Sequence, residues 1–186
     1  MSNNIKGKSL KIISTFKLST LNFLNMQMHT QVEIERKYLV DIIGQIPNGD
    51  VSDIWQTYLL SEKDVCRRVR KRCSNAKCVF YLTEKRPLAY DRRVETEGEI
   101  SREEYERLLL EADPEKRTIH KRRCCFTWQN QFFELDTFVE PVMQHHLLEI
   151  EGAESADAVT MPPFLRVVAD VTGNPEYYNA NIASRK

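Results

Sequence analysis

The feature that most constrains the fold is an alternation of charged and apolar residues, clearest over residues 32–40, which read V-E-I-E-R-K-Y-L-V. Successive side chains of a β-strand point to opposite faces, so Glu33, Glu35 and Lys37 share one face while Ile34 lies on the other. Neighbouring carboxylates repel each other, and a hard divalent cation with oxygen ligands commonly stabilises such a pair. A single stretch of this kind is more typical of an ordinary half-exposed antiparallel strand.

The same alternation recurs along the chain, which favours a functional role for the charged faces over ordinary half-exposed strands. Eight segments read as strands, and the short polar loops between several of them favour antiparallel neighbours. These segments span about residues 31–39, 55–61, 65–72, 78–86, 92–100, 118–127, 131–139 and 146–152. Most of them place charged or polar residues on one face, and on the later strands these include Arg68, Arg70, Lys85, Arg93, Glu95, Glu97, Lys121, Arg123, Glu134, Asp136, Glu149 and Glu151.

Eight antiparallel strands are enough to close into a barrel and so remove the exposed edges of an open sheet. If helices cover the apolar faces from outside, the charged faces line the inside of that barrel. Unpaired ions in such an interior are costly, so a ligand is expected there. A polyanion would bind the basic residues, and divalent cations would join it to the acidic ones. The sequence therefore predicts an α+β fold, a closed eight-stranded antiparallel β-barrel with a few packing helices on the outside.

One helix is clear between the fifth and sixth strands. Ser101 with Glu104 three residues later is a capping-box signature, and Tyr105 and Leu108 follow at helical spacing until Asp113-Pro114. Shorter helical turns are expected at 156–159 and 177–183.

The first 30 residues differ from the remainder. They contain four lysines and no acidic residue, since the first acidic residue of the chain is Glu33. An amphipathic helix through this segment would resemble a transit peptide or an interfacial anchor, and the alternative is a disordered or non-essential extension. Lys17 interrupts the apolar run, so no membrane span is expected. Residues 1–30 are interpreted as an extension and residues 31–186 as one domain.

Charge and cysteine content exclude several classes of protein. Basic and acidic residues both number 27, so no broad cationic surface for nucleic acid is indicated. The five cysteines lack a Cys-x-x-Cys pair and predict neither a disulfide framework nor a zinc site. A reducing, cytoplasmic location is expected, with organelle targeting or membrane-surface association left open by the basic extension.

An ordered set of motifs resembles the CYTH, or triphosphate tunnel metalloenzyme, superfamily, and above all its short bacterial-type members. The motifs cover about residues 31–183 and run in the family's order. They are V-E-I-E-R-K-Y-L-V, Q-T-Y-L at 56–59, R-V-R at 68–70, T-E-K at 83–85, R-V-E-T-E at 93–97, K-R-R at 121–123, L-D-T-F at 135–138, L-E-I-E at 148–151 and the tail V-T-G-N-P-E-Y-Y-N-A-N-I-A.

The resemblance implies a tunnel that binds a linear triphosphate together with Mg²⁺ or Mn²⁺. The implied metal ligands are Glu33, Glu35, Glu149 and Glu151, and the implied catalytic residues are Glu33, Glu35, Lys37 and Asp136. The implied phosphate-binding residues are Lys37, Arg68, Arg70, Lys85, Arg93, Lys121 and Arg123. Glu95 and Glu97 would orient these cations or a second metal ion. The tail departs from the family pattern at Glu176, where similar proteins often carry a basic residue.

Three functions are compatible with the sequence. The first is metal-dependent hydrolysis of inorganic triphosphate, or less selectively of nucleoside triphosphates. The second is another reaction in the same tunnel, either that of a class IV adenylate cyclase or that of a thiamine triphosphatase. The third is a non-catalytic module that binds polyphosphate or nucleotides. The expected partner is a small triphosphate, and the chain is expected to be a monomer or a homodimer.

Deleting residues 1–26 should leave triphosphate hydrolysis near the full-length value, because that segment contains none of the ordered motifs. Steady-state rates of the two proteins, measured at equal concentrations of folded chain, test this. A truncated protein that still folds and has lost activity would overturn the domain boundary.

Overall fold

The computed structural model describes residues 28–32, 35–89, 92–153 and 155–184. Ten strands and two α-helices make up this part of the chain. The strands are β1 (Met28–Val32), β2 (Glu35–Ile42), β3 (Asp50–Leu59), β4 (Cys66–Ser74), β5 (Lys77–Ala89), β6 (Arg92–Ile100), β7 (Ile119–Trp128), β8 (Gln131–Glu140), β9 (His146–Glu151) and β10 (Leu165–Asp170). The helices are α1 (Arg102–Leu108) and α2 (Asn179–Ile182), and 3₁₀ turns occupy Leu109–Glu111, Ala156–Ala158 and Pro175–Tyr177.

All the strands belong to one antiparallel sheet with the order β1-β6-β5-β4-β3-β7-β8-β9-β2-β10. The prediction of a closed barrel of eight strands was wrong on both counts, because the sheet has ten strands and its hydrogen-bonded order is open. The predicted first strand divides into β1 and β2, which pair with different neighbours. The tenth strand, β10, lacks the alternation by which the others were found.

The two ends of the open sheet are nevertheless connected by the chain itself. β1 is the strand at one end and ends at Val32, while β2 lies next to the other end and begins at Glu35. Three Cα–Cα steps of about 3.8 Å separate these residues, so they lie within roughly 11 Å of each other. The sheet must therefore curve round on itself, which gives one inner and one outer face.

The outer face is apolar and is covered in two places. Over β3–β6, Tyr105 and Leu108 of α1 pack on a buried cluster formed by Leu59, Val69, Phe80, Leu82 and Ile100. Over β2 and β7–β9, the cover comes from β10 and the segment before it, which contribute Ala153, Phe164 and Leu165. Helical cover was thus predicted correctly for one half of the barrel-like sheet, and the other half is covered by a strand and its preceding loop.

The helix α1 begins where the capping box predicted. The Ser101 side chain accepts a hydrogen bond from the Glu104 backbone N–H at 3.1 Å, which satisfies one of the free donors of the first turn. The α-helix ends at Leu108 and continues as a 3₁₀ turn to Glu111, three residues before Pro114. No helix in the described residues is long and apolar enough to cross a membrane.

At one end the inner face changes from charged to apolar. Leu39, Ile119 and Leu147 each lie two residues from a charged residue on the same face of β2, β7 or β9, and they form a buried cluster with Tyr58, Phe138, Val171 and Ala183. Tyr177, Ala180 and Ile182 of the C-terminal segment pack against this cluster. We call it the apolar floor, because it fills the interior beneath the charged residues.

A disulfide joins Cys73 and Cys78, whereas the sequence had suggested no disulfide framework. The two residues are paired across β4 and β5, with Cα atoms 4.1 Å apart. The chain reverses through Asn75 and Ala76, both with positive φ, as a tight two-residue hairpin requires. A search for Cys-x-x-Cys does not detect this pair, because its proximity depends on the register of the hairpin.

Replacing Leu108 by alanine should lower the free energy of unfolding by about 2–5 kcal/mol, since this side chain is 1% exposed and its loss leaves a cavity under α1. Leu110 is 87% exposed two residues later, and Leu110→Ala should change stability by less than about 0.5 kcal/mol. Urea denaturation of both variants measures the difference. Equal effects would show that α1 does not cover the sheet as described.

Candidate active site

A cavity of about 260 Å³ lies inside the curved sheet, and most of its lining residues are charged. Seven cationic and six acidic side chains line it within the described residues. The cations are Lys37, Arg68, Arg70, Arg72, Lys85, Lys121 and Arg123, and the acids are Glu35, Glu95, Glu97, Glu134, Glu149 and Glu151. Ile54, Gln56, Tyr81 and Asn179 complete the lining.

The structure brings most of the predicted site residues together in this cavity. Alternation along each strand places them there, as with Arg68, Arg70 and Arg72 of β4. Glu33 lies outside the described residues, and so does the side chain of Arg93, although its backbone belongs to β6. Asp136 is fully buried and lies behind the lining, in contact with two of its cations.

The first and last predicted strands are neighbours, as the shared metal ligands would require. In the β2–β9 ladder, Glu35 is paired with Glu151 and Lys37 with Glu149. The Lys37 Nζ lies 2.7 Å from Glu149 Oε1 and 3.0 Å from Glu35 Oε1. Burial lowers the pKa of Lys37, but the attraction of Glu149 and Glu35 outweighs it, so that the pKa is raised and the ammonium form is retained.

Asp136 holds two cations of β7 in place. Its Oδ2 accepts a hydrogen bond from Lys121 Nζ at 2.5 Å, and its two oxygens accept bonds from Arg123 Nε and Nη2 at 2.7 and 2.6 Å. Burial and the nearby Arg123 lower the pKa of Lys121 despite the attraction of Asp136. With its oxygens occupied in this way, Asp136 fixes the direction of the cations and has little capacity left for a metal ion.

Glu149 is also surrounded by cations. Its Oε1 contacts Lys37, and its Oε2 accepts a hydrogen bond from Arg123 Nη2 at 2.7 Å. Burial opposes ionisation, but Lys37, Lys121 and Arg123 together hold the pKa of Glu149 well below its usual range. The carboxylate is therefore ionised at neutral pH.

On the opposite side of the cavity, the cations are likewise paired with carboxylates. Arg70 donates a hydrogen bond to Glu97, whose Oε2 also accepts one from Thr83 at 2.5 Å. Glu95 lies 2.6 Å from Lys85 Nζ and 3.7 Å from Arg68 Nη2. Burial, together with repulsion from Arg68, lowers the pKa of Arg70. The two glutamates therefore hold Arg68, Arg70 and Lys85 in ion pairs at the cavity wall.

The acids of the cavity suit a hard divalent cation, provided that the ligand supplies part of the coordination. In the described residues no group of three or more acidic, histidine or cysteine side chains is arranged to hold a metal ion. Glu35 and Glu151 face each other on adjacent strands, and Mg²⁺ is usually bound by one or two carboxylates plus substrate phosphates. This donor pair therefore fits Mg²⁺ or Mn²⁺ bound together with a phosphate.

Several lining residues were not assigned to the site from the sequence. Arg72 was missed although it continues the alternation of Arg68 and Arg70 by one more step. Glu134 was placed on the charged face of its strand with Asp136 but was given no role in the site. Gln56 and Asn179 lie within motifs that had been recognised, but both are uncharged, so the alternation of charged residues did not point to them.

Comparison with solved structures places the fold among known proteins. The inorganic triphosphatase NE1496 aligns with a TM-score of 0.54 and 25% identity, over 83% of this chain and 95% of that one. A candidate adenylate cyclase from Bacillus halodurans aligns with a TM-score of 0.54 and 20% identity, over 69% of this chain and 84% of that one, and this similarity shows the fold alone. No protein-family model and no curated protein matches the chain.

The pKa of Glu149 predicts a particular acid dependence of stability. Its folded pKa is depressed, so its contribution is complete above the unfolded pKa of about 4.3 and is lost as pH falls through the folded value. Glu149→Gln should be less stable than the wild type at pH 7 and lose less stability between pH 5 and 2. Glu106→Gln, on the exposed side of α1, should follow the wild type. Parallel denaturation curves for all three proteins over this range would contradict the ion pairing.

Proposed function

We propose that the chain, which resembles the triphosphate tunnel metalloenzyme superfamily, is a metal-dependent triphosphatase and that inorganic triphosphate is its substrate. The observation that carries the proposal is a single cavity lined by seven cationic side chains in the described residues. The aligned protein NE1496 is an inorganic triphosphatase, which supports the same class of reaction here.

The charges of the cavity suit hydrolysis of a phosphoanhydride. Such bonds are cleaved slowly in water, because the anionic phosphoryl group repels an incoming nucleophile. Fixed cations lower this barrier because they neutralise the phosphate oxygens. Their stabilising effect is larger in the transition state, where charge develops on these oxygens. Lys37, Arg70, Lys121 and Arg123 come from three different strands around one cavity, so they can contact a linear triphosphate from several sides.

The carboxylates keep these cations in place before the substrate binds. Asp136 fixes Lys121 and Arg123, while Glu97 fixes Arg70. Phosphate oxygens then take over part of the hydrogen bonding that carboxylates provide in the empty cavity. Because the cations are already oriented, little conformational entropy is lost when the substrate is bound.

The metal ion belongs to the same proposal. Glu35 and Glu151 would hold Mg²⁺ or Mn²⁺, and Glu33 would join them as the resemblance implies. When bound, the metal supplies Lewis-acid neutralisation of phosphoryl oxygens. The chain's own residues bind and orient the phosphates, and the pKa of Lys37, raised by Glu149 and Glu35, keeps one ammonium group charged at the metal side of the cavity.

The lining favours an inorganic substrate over a nucleotide or a thiamine derivative. Ile54 and Tyr81 are the lining residues of the described part that are neither charged nor amides. An adenine or thiazolium ring is usually held against several apolar or aromatic side chains. The cavity contains many phosphate contacts and little surface for a ring, so any nucleoside would have to lie outside it.

A substrate panel tests the proposal directly. Tripolyphosphate, ATP, thiamine triphosphate and pyrophosphate are each incubated with the protein in Mg²⁺, in Mn²⁺ and in excess chelator, and the products are identified. We expect the fastest turnover with tripolyphosphate, release of orthophosphate, and loss of activity in chelator. Formation of cyclic AMP from ATP, or full turnover in chelator, would reject the proposal.

A pair of arginine variants adds a structural control to this panel. Arg70→Ala should lower turnover of tripolyphosphate by about 10²–10³, the usual loss for one preorganised group that stabilises charge. Arg86 lies on the neighbouring strand β5 with a side chain that is 49% exposed, and Arg86→Ala should retain the wild-type rate.

A further inference from the structure

Asn179 occupies a distinctive position between the charged cavity and the apolar floor. It is the first residue of α2, and its side chain lines the cavity. Its close neighbours in sequence, Tyr177, Ala180 and Ile182, pack against the apolar floor. The C-terminal segment is thereby held in place by apolar contacts, and it contributes one amide to the lining of the charged cavity.

The amide of Asn179 differs from the charged residues around it. Each of the seven cations of the lining lies in a salt bridge. The Oδ1 atom of Asn179, in contrast, is buried and has no hydrogen-bond partner among the residues that the structure describes. A buried polar atom without a partner is unfavourable. Phosphate oxygens are acceptors, so this position serves a phosphate when the amide is turned and Nδ2 takes the place of Oδ1.

We propose that Asn179 contacts the substrate directly and binds the terminal phosphoryl group next to the apolar floor. This inference rests on the proposed function, because it assigns a residue to the same triphosphate site. An anion cannot enter the apolar floor without losing its solvation, so the end of the chain must stop at the level of Asn179. There the side-chain amide Nδ2 donates a hydrogen bond to a phosphoryl oxygen. Turning the amide by about 180° exchanges its oxygen and nitrogen with little change of shape.

Asn181 provides a matched control two residues away on the same helix. It is exposed, and its Nδ2 donates a hydrogen bond to the Pro175 carbonyl oxygen at 2.7 Å. Substitution of Asn181 therefore disturbs the same segment and removes a local hydrogen bond without touching the cavity. Any effect that arises only from loosening the C-terminal segment should appear in both positions.

The test measures binding of tripolyphosphate by calorimetry in the presence of EDTA, which keeps the substrate intact. The proteins are the full-length wild type, Asn179→Leu, Asn179→Asp, Asn181→Leu and Asn181→Asp, with melting temperatures measured alongside. We expect Asn179→Leu to raise Kd about tenfold, the scale of one hydrogen bond to a charged group. Asn179→Asp should raise it further, because it brings a carboxylate against the phosphate. Both Asn181 variants should bind like the wild type.

The result also separates this inference from the proposed function. Wild-type affinity in both Asn179 variants, or equal losses at positions 179 and 181, would overturn the contact while leaving the triphosphatase proposal intact. A wild type that binds tripolyphosphate and shows the expected effect at Asn179, yet does not hydrolyse it in Mg²⁺ or Mn²⁺, would support the contact and reject the hydrolase. Absence of wild-type binding in EDTA would overturn the contact, while hydrolysis in Mg²⁺ or Mn²⁺ decides the hydrolase separately.

Discussion

The structure depends on the pairing of charges that are buried inside a sheet. Lys121 is 1% exposed and Asp136 is 0% exposed, which in isolation would be among the most costly arrangements available to a protein. They are tolerated because each cation meets a carboxylate from another strand, as Lys121 meets Asp136 and Arg70 meets Glu97. Since replacing buried ion pairs by apolar residues is often neutral or stabilising, these pairs are poorly explained by stability alone. Binding a polyanion accounts for them better.

The same pairing explains how a cavity can contain many charged side chains and still bind a charged ligand. Carboxylates of the cavity accept the hydrogen bonds that phosphate oxygens would accept in a complex. The apolar outer clusters keep the strands in register when phosphate replaces carboxylate as the partner of a cation. The apolar floor sets the depth to which an anion can reach. One end is apolar and the walls carry seven cations that are paired with carboxylates, so the arrangement favours a short, linear and highly charged ligand.

The sequence predicted the features that are local, and it did not predict those that depend on register. Alternation within single strands correctly identified the faces that carry Lys37, Arg70 and Lys121, and the capping box at Ser101 located the start of α1. The division of the first strand into β1 and β2 depends on partners that are distant in sequence.

The disulfide and the role of Asp136 show the same limit. The proximity of Cys73 to Cys78 follows from the hairpin that joins β4 and β5, and no spacing rule for cysteines describes it. Asp136 was predicted to be a catalytic residue from its motif, but its contacts with Lys121 and Arg123 appear only when β7 and β8 are paired.

The most direct test of the account is anomalous scattering from crystals grown with Mn²⁺ and tripolyphosphate. The account predicts manganese between Glu35 and Glu151, with phosphates on Arg70, Lys121 and Arg123, whereas manganese and phosphate bound outside the cavity would contradict it.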